Sequence, residues 1–357
     1  MNKNKIKILL ITSVLFLLAL IPCLMVIFQF PNREQRYAFI SPQIGPTHAI
    51  FKAITKDTKP VDILILGSSL TMCALDPIIL EKELTNQLGR PSVVLNLCVH
   101  WRGEEIPFLL LSEILKQRKV KMLIWSSPEA ITWIDEPHAL AFHFWENKSY
   151  FENLQNLSLI NQLQYYTGTI LSFPRLVYLA ITHGSTFERP IFDMIDDYGP
   201  KGGLARKLAF RNNVSLDGNS KSCKFAEYHK ESPPIVENDF VYSESNSHNF
   251  SFGNIEVNSY QMAFFKKIGI LCLTNDIALA CFKNPTLMDY KYDQIRFPTF
   301  WSEHFSQSVT YMGIQPKKLF PNTDENERKN FYTDSHLNAN GQRYLSETIA
   351  PVLASFY

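Results

Sequence analysis

The chain has 357 residues, 46% of them hydrophobic, which is enough to bury the core of one large domain or two small ones. Its 35 basic and 34 acidic residues give a net charge of +1, and this balance argues against a nucleic-acid-binding protein, which needs a basic surface to neutralise phosphates. The composition therefore indicates a folded protein and predicts no nucleic-acid partner.

The first thirty residues predict a transmembrane signal anchor. Three lysines among the first seven residues precede Ile8 to Phe30, a run without a charged side chain. Such a run is long enough to cross the roughly 30 Å hydrocarbon core as a helix. The lysines are expected to stay in the cytoplasm, so the rest of the chain is exported from the inner (cell) membrane to the periplasmic or extracytoplasmic side. A cleaved signal peptide is the alternative, although no A-x-A cleavage site follows.

Residues 31–60 contain four prolines and predict a juxtamembrane linker, because prolines at this density prevent a long helix. From residue 61 onward, short apolar runs alternate with helical patterns. The predicted strands are Ile63–Leu66, Ser92–Leu97, Val120–Trp125 and Ile277–Phe282. The predicted helices are Pro77–Leu88, Glu104–Arg118, Tyr260–Leu273, Asp293–Gln307 and Asn338–Phe356. This alternation is typical of right-handed βαβ units.

The expected fold of residues 61–357 is therefore a three-layer α/β/α sandwich around a mostly parallel, flavodoxin-like sheet. The alternation stops between residues 130 and 256, where the chain is aromatic, polar and rich in loop-forming residues. We interpret this stretch as an inserted cap over the sheet. Caps of this kind usually shape a substrate site, because loops on a rigid scaffold carry specificity.

Two short motifs at opposite ends of this domain predict a catalytic site. The first strand stops at Gly67, Ser68 and Ser69, at the edge where open α/β sheets form active sites. Near the other end, Asp334 and His336 lie two residues apart before the last helix. A serine nucleophile needs a base such as histidine, whose tautomer an aspartate fixes. Each motif alone also has a structural explanation, since Gly and Ser favour turns and a loop Asp or His often satisfies local hydrogen bonds.

Together the two motifs resemble the SGNH/GDSL hydrolase superfamily, in particular its membrane-anchored bacterial branch. That branch includes the D-alanyl-transfer protein of teichoic-acid modification and alginate-type O-acetyltransferases. The first family block matches Gly67–Leu70, with Ser68 where an aspartate is usual, and the last block matches Asp334, His336 and the helix start that follows. The resemblance implies that Ser69 is the nucleophile, with Ser68 as its rival. It also implies that His336 is the general base and that Asp334 orients it.

The resemblance further implies an oxyanion hole built from the backbone N–H groups of Ser69 and Cys98. Cys98 follows the second strand, where the family commonly has a glycine. The family's third donor, an asparagine after the third strand, is missing, because the chain reads SSPE at residues 126–129. This departure separates the chain from ordinary secreted esterases, and the resemblance suggests that the acyl-transfer branch shares it.

Loops at the same edge supply candidate substrate-binding residues, His100 and Arg102, of which the arginine is the better anion binder. A role at the rim or in packing is the alternative for both. Several aromatic residues either form a sugar-stacking platform or belong to the core: Trp125, Trp133, Phe142, Phe144 and Trp145. The six cysteines and nine histidines show no metal-ligand spacing, so we predict neither a metal nor a cofactor.

From the resemblance and the anchor we expect a membrane-anchored serine esterase or O-acyltransferase that acts on an acylated cell-envelope saccharide or glycan through an acyl-enzyme intermediate. Hydrolysis and transfer share that intermediate, so the sequence leaves them open. Transfer would bring in a membrane-bound acyl-donor protein as a partner. The alternative is a catalytically silent, membrane-tethered binding or assembly protein that keeps the fold.

Overall fold

The computed structural model of the chain describes residues 6–8, 10–14, 16, 20, 32–38, 47–55, 57–99, 103–126, 141, 144, 148–183, 237–254, 258–305, 309–320, 330–331 and 335–357. Its strands are β1 (Val61–Leu66), β2 (Val94–Asn96), β3 (Val120–Ser126), β4 (Phe250–Gly253), β5 (Ala278–Lys283), β6 (Ile295–Pro298) and β7 (Thr310–Gly313). Its helices are α1 (Arg33–Ala38), α2 (Thr47–Thr55), α3 (Ser69–Ala74), α4 (Pro77–Leu88), α5 (Glu105–Leu115), α6 (Lys148–Leu154), α7 (Leu159–His183), α8 (Glu237–Phe240), α9 (Ser259–Thr274), α10 (Phe300–His304), α11 (Pro316–Leu319) and α12 (Ala339–Ala354).

Five strands form the central sheet in the spatial order β2-β1-β3-β5-β7, and every neighbouring pair is parallel. The prediction of an α/β fold with a mostly parallel sheet is therefore confirmed. In this order the chain first turns from β1 to β2 and then continues on the other side of β1. Such a reversal opens a crevice at the carboxyl ends of the central strands, where ligands of open α/β sheets bind.

Helices cover both faces of the sheet because its central strands are apolar on both sides. All six residues of β1 are buried, as expected for a strand inside a parallel sheet. Ile63 and Ile65 pack under α4 and α12, whereas Leu64 and Leu66 pack under α5 and α9. The two apolar cores lie on opposite faces of the same strand, so β1 is held from both sides.

Most of the predicted elements are confirmed within a few residues, and α4 shows why. Asp76 accepts hydrogen bonds from the N–H groups of Ile78 and Ile79, and Pro77 occupies the first turn. Gly89 ends the helix in the left-handed conformation, at φ 64°. Caps of this kind depend on neighbouring residues alone, which is why the sequence predicts them.

The linker expected at residues 31–60 differs from what the structure shows. This segment contains α1 and α2, and Tyr37, Ile50 and Ile54 are buried in the core that also contains Leu64. The helix α2 also contacts α5. The two helices of this segment are therefore part of the folded domain, because their apolar side chains are buried in the same core as the sheet.

The predicted helix Asp293–Gln307 is wrong in its first half. There the structure has the strand β6, which pairs in parallel with β4 in a separate two-stranded sheet, before the short helix α10. Pro298 explains the difference, since proline disfavours the α conformation at the residue before it, Phe297. The edge strand β7 was also missed, because four residues are too few to establish a period.

The expected anchor and cap lie largely outside the described residues. Within the described part of the chain, none of the helices combines the length and the apolar character that a bilayer span requires. Described positions of the run 8–30 are helical, and their apolar side chains, such as Leu10 and Phe16, are exposed. Of the expected cap at 130–256, the structure describes residues 141, 144, 148–183 and 237–254.

Candidate active site

The turn between β1 and α3 places one serine at the surface and buries the other. Ser68 is buried and caps α3, because its Oγ accepts a hydrogen bond from the N–H of Leu70 at 3.4 Å. Ser69 is the first residue of the helix and is partly exposed. Of the two rival serines, Ser69 is therefore the more exposed one.

Two hydroxyl groups lie so close to Gly67, the residue before these serines, that a side chain at this position would collide with them. A Cβ at Gly67 would lie 2.6 Å from Ser126 Oγ and 2.7 Å from Thr71 Oγ1. Ser126 ends β3, the neighbouring strand, so the missing side chain lets the turn pack against the sheet edge. In the first motif, Gly67 is therefore required for steric reasons, and Ser69 is partly exposed.

His336 comes from the other end of the chain and meets this serine. The Oγ of Ser69 lies 3.0 Å from Nε2 of His336, across 267 positions of sequence. The other ring nitrogen, Nδ1, lies 3.1 Å from Oγ of Ser335. When Nε2 accepts a hydrogen bond from the Ser69 hydroxyl, the neutral ring carries its proton on Nδ1, and this N–H donates a hydrogen bond to an oxygen acceptor. The hydroxyl and the imidazole are thus within hydrogen-bond reach, which is the geometry that a serine nucleophile and its base require.

Local backbone contacts fix the loop that carries the histidine. Phe331 and Leu337 form an antiparallel bridge on either side of it. The N–H of Asn338 donates to the carbonyl of Asn330 at 3.0 Å, and Asn338 caps α12 through its side chain. A Cβ at Gly341 would collide with the carbonyl oxygen of Asn330. The glycine therefore lets the first turn of α12 press against the loop.

Two buried polar side chains join α12, the helix that follows His336, to α3, the helix that begins with Ser69. Gln342 Nε2 donates to the carbonyl of Met72 at 3.0 Å, and Ser346 Oγ accepts from the N–H of Asp76 at 2.8 Å. Both side chains are fully buried. These bonds satisfy backbone groups at the end of α3 that would otherwise be unpaired, and they hold the two halves of the site together.

The N–H of Cys98, which the sequence predicts as an oxyanion donor, has a hydrogen-bond partner within the protein. The N–H of Cys98 donates to Asn96 Oδ1 at 3.1 Å, and the N–H of Val99 donates to the carbonyl of Gly67. Both N–H groups are thus engaged within the protein, the first by the side chain of Asn96 and the second by the turn after β1. Ser69 opens a helix, so its N–H has no acceptor within α3.

Two thiols near this turn are poor rivals to the serine as nucleophiles. Burial raises the pKa of Cys73 to about 12. Burial, together with the neighbouring Cys73, raises the pKa of Cys98 well above its usual value. Because the thiolate is the reactive form, both thiols stay protonated and inert near neutral pH.

The sequence interpretation missed an asparagine behind the turn. Asn284 follows β5 and is buried, and its Nδ2 donates to Thr71 Oγ1 at 3.0 Å. Its Oδ1 has no hydrogen-bond partner among the described residues. A signal was present, since Asn284 directly follows a buried strand at the carboxyl edge of the sheet, but an asparagine before a proline is also a common turn signal.

We expect Thr71→Val and Asn284→Ala to be strongly non-additive. Thr71→Val leaves the buried amide of Asn284 unpaired, which should lower the free energy of unfolding by about 1–3 kcal/mol. Adding Asn284→Ala removes that unpaired group, so the double variant should be nearly as stable as Asn284→Ala alone. Urea unfolding of the four proteins measures this, and additive losses would contradict a coupled pair.

Several predicted site residues lie outside the described residues: Asp334, His100 and Arg102. Of the five aromatic residues, Trp125 and Phe144 are buried in the core, where the indole N–H of Trp125 donates to Glu104 Oε2 at 2.9 Å. They therefore do not form a sugar-stacking platform. Among the described residues, no group of three or more His, Cys, Asp or Glu could hold a metal ion.

Comparison with known proteins adds no family to this geometry. The chain matches no protein-family model, and it matches no curated protein. The arrangement of Ser69 and His336 at the carboxyl edge of a parallel sheet is thus the starting point for assigning a function.

Proposed function

We propose that this protein is a membrane-anchored serine esterase or O-acyltransferase of the SGNH type, acting on an acylated cell-envelope saccharide. The observation that carries the proposal is the 3.0 Å approach of Ser69 Oγ to His336 Nε2. The serine follows the first strand and the histidine precedes the last helix, in the chain order of the SGNH triad. Their meeting at the carboxyl edge of the sheet supports catalysis, since that edge is where such folds bind substrates.

The proposed reaction begins with attack of Ser69 Oγ on the carbonyl carbon of an ester. The hydroxyl proton passes to His336 Nε2 as the new C–O bond forms, and Asp334 orients the imidazolium. The tetrahedral intermediate then expels the alcohol, which takes the proton from Nε2, and an acyl group remains on Ser69. Water or a saccharide hydroxyl next attacks the acyl carbonyl while His336 Nε2 accepts its proton, and the bond between the acyl carbon and Ser69 Oγ then breaks as Nε2 returns that proton to Oγ. Water gives hydrolysis and a sugar hydroxyl gives transfer.

The N–H of Ser69 is the proposed donor to the developing oxyanion. It lies at the start of α3, where N–H groups lack helical acceptors. Loss of a single oxyanion donor typically costs on the order of 10²- to 10³-fold in rate. The engagement of the Cys98 N–H by Asn96 means that this second donor would first have to exchange partners.

The saccharide substrate and the anchor rest on two sequence features. The apolar run Ile8–Phe30 after a lysine-rich start supports export to the cell envelope. The resemblance of the two motifs to envelope acyl-transfer proteins supports an acylated glycan as the substrate. A membrane-bound acyl-donor protein is the partner that transfer would require.

The second candidate function is a catalytically silent, membrane-tethered binding or assembly protein with the same fold. One observation favours it, namely the hydrogen bond from the Cys98 N–H to Asn96 Oδ1, which occupies an expected oxyanion donor. In such a protein Ser69 and His336 would form a structural hydrogen bond. The reactivity of Ser69 separates the two candidates.

We expect a fluorophosphonate probe to label the full-length protein and to lose that labelling in Ser69→Ala. The reagent reacts covalently with a serine only when a base accepts the serine's proton. Labelling of the intact protein in membranes, followed by detection of the tagged band, measures this. Ser302→Ala, a surface substitution on α10, is the control and should label like the wild type. A wild-type protein that takes no label, although its cooperative unfolding in urea shows that it is folded, would support the silent candidate.

A further inference from the structure

The helix α7 exposes a largely apolar surface, with the exposed Thr167 among its side chains, and we call this surface the α7 stripe. The stripe consists of Leu159, Ile160, Leu163, Tyr166, Ile170, Leu171, Tyr178 and Ile181, whose exposed fractions range from 44% to 76%. At about 100° per residue these eight side chains fall within an arc of about 140°. The opposite side of the helix carries buried residues, among them Asn161, Tyr165 and Leu176. The helix therefore uses one side for the protein core, and the described part of the chain leaves its other, apolar side uncovered.

An exposed stripe of this size is unusual on a soluble surface. The 25 residues of α7 span about 37 Å at about 1.5 Å per residue, and they include one basic residue, Arg175, and no acidic residue. Scattered apolar side chains need no explanation, but a contiguous patch of this kind marks a surface that something covers. The position of α7 in the chain indicates what that is.

The helix α7 contacts α1, the first described helix after the apolar run at the N-terminus. The helix α1 begins at Arg33, three residues after Phe30, where that run ends. In the proposed topology this point is where the chain leaves the bilayer, so α1 lies at the membrane surface. A helix in contact with α1 is therefore held close to the same surface.

We propose that the α7 stripe inserts into the boundary between headgroups and acyl chains and holds the exported domain flat against the bilayer. A helix in this position buries one apolar side while its other side faces water or protein. Here the other side faces the protein core, which explains why α7 lacks the rows of lysine usual in free interfacial helices. Tyr166 and Tyr178 fit the boundary, where amphipathic aromatic rings concentrate. The inference rests on the proposed anchoring and is independent of the proposed catalysis.

The stripe can be tested with a fluorescent reporter in the full-length protein reconstituted into phosphatidylcholine–phosphatidylglycerol vesicles. Leu163→Cys and Ile170→Cys carry the NBD fluorophore on the stripe, and Met288→Cys carries it on an exposed position elsewhere. Cys23 and Cys223 are replaced by serine, whereas the four remaining cysteines are buried and do not compete for the label. A doxyl-labelled phospholipid in the vesicles quenches fluorophores that touch the acyl chains.

We expect emission from the two stripe positions to shift to shorter wavelength and to be quenched several-fold more than emission from Met288→Cys. Shifted emission without lipid quenching would mean that residues 184–236 or a second copy of the chain covers the stripe, and would overturn the proposal. Emission that does not shift would mean that the stripe stays in water, and this result would also overturn the proposal. Failure of the protein to float with the vesicles would overturn the anchor as well, whereas flotation without quenching would overturn the stripe alone.

Discussion

His336→Ala is expected to slow fluorophosphonate labelling of Ser69 by on the order of 10²- to 10⁴-fold, the usual contribution of a positioned general base. The physical reason is the 3.0 Å contact between Ser69 Oγ and Nε2, which gives the serine proton an acceptor as the hydroxyl attacks. Without the imidazole the proton must pass to water. The time course of labelling at a fixed probe concentration measures the loss.

The control for this variant is His304→Ala, which removes a histidine of the short helix α10. It should label at the wild-type rate. Because His336 is partly exposed, its removal should leave the urea unfolding curve close to that of the wild type, so a slower reaction cannot be attributed to unfolding. Labelling of His336→Ala at the wild-type rate would show that the observed contact takes no part in activating Ser69.

Gly341→Ala is expected to damage both the stability and the reactivity of the protein. The new methyl group would collide with the carbonyl oxygen of Asn330 and lie 2.9 Å from Cδ2 of Leu337. Overpacking of this kind typically costs about 1–3 kcal/mol of unfolding free energy. The loop between these two residues carries His336, so relief of the collision moves the imidazole. A misplacement of about 1 Å can cost on the order of 10²-fold in rate.

Gly253→Ala is the matched control for this substitution. Among the described residues, a Cβ there would contact only the end of the flexible Arg296 side chain, at 3.3 Å. It should change unfolding by far less than Gly341→Ala and leave the labelling rate unchanged. If Gly341→Ala labels at the wild-type rate despite lower stability, the close approach at Asn330 supports folding but does not position the base.

Much of the fold followed from local patterns. The runs that form β1, β3 and β5 are apolar and short, and the caps of α4 at Asp76 and Gly89 depend only on neighbouring residues. The prediction of secondary structure and domain boundaries failed where residues adjacent in sequence carry too little information. The four-residue strand β7 has no measurable period, and residues 31–60 looked like a linker until Tyr37 and Ile50 were found in the core.

The site shows the same division. Ser69 and His336 could be named from the sequence, because a serine after a buried strand and a histidine before a final helix are visible locally. The engagement of the Cys98 N–H by Asn96 could not be predicted, since it depends on how one side chain turns over the end of its strand. The role of Asn284 at Thr71 was hidden for a related reason, because the two residues are 213 positions apart.

By itself the sequence determined the order of the elements, the apolar N-terminal run and the two short motifs that carry the proposed chemistry. Only the tertiary structure decided that Ser69 Oγ and His336 Nε2 are 3.0 Å apart. It also decided that Gln342 and Ser346 hold α12 against the end of α3. The reason is physical. Propensity and capping act between near neighbours and leave a pattern in the sequence, whereas a contact across 267 positions depends on how all the intervening elements pack.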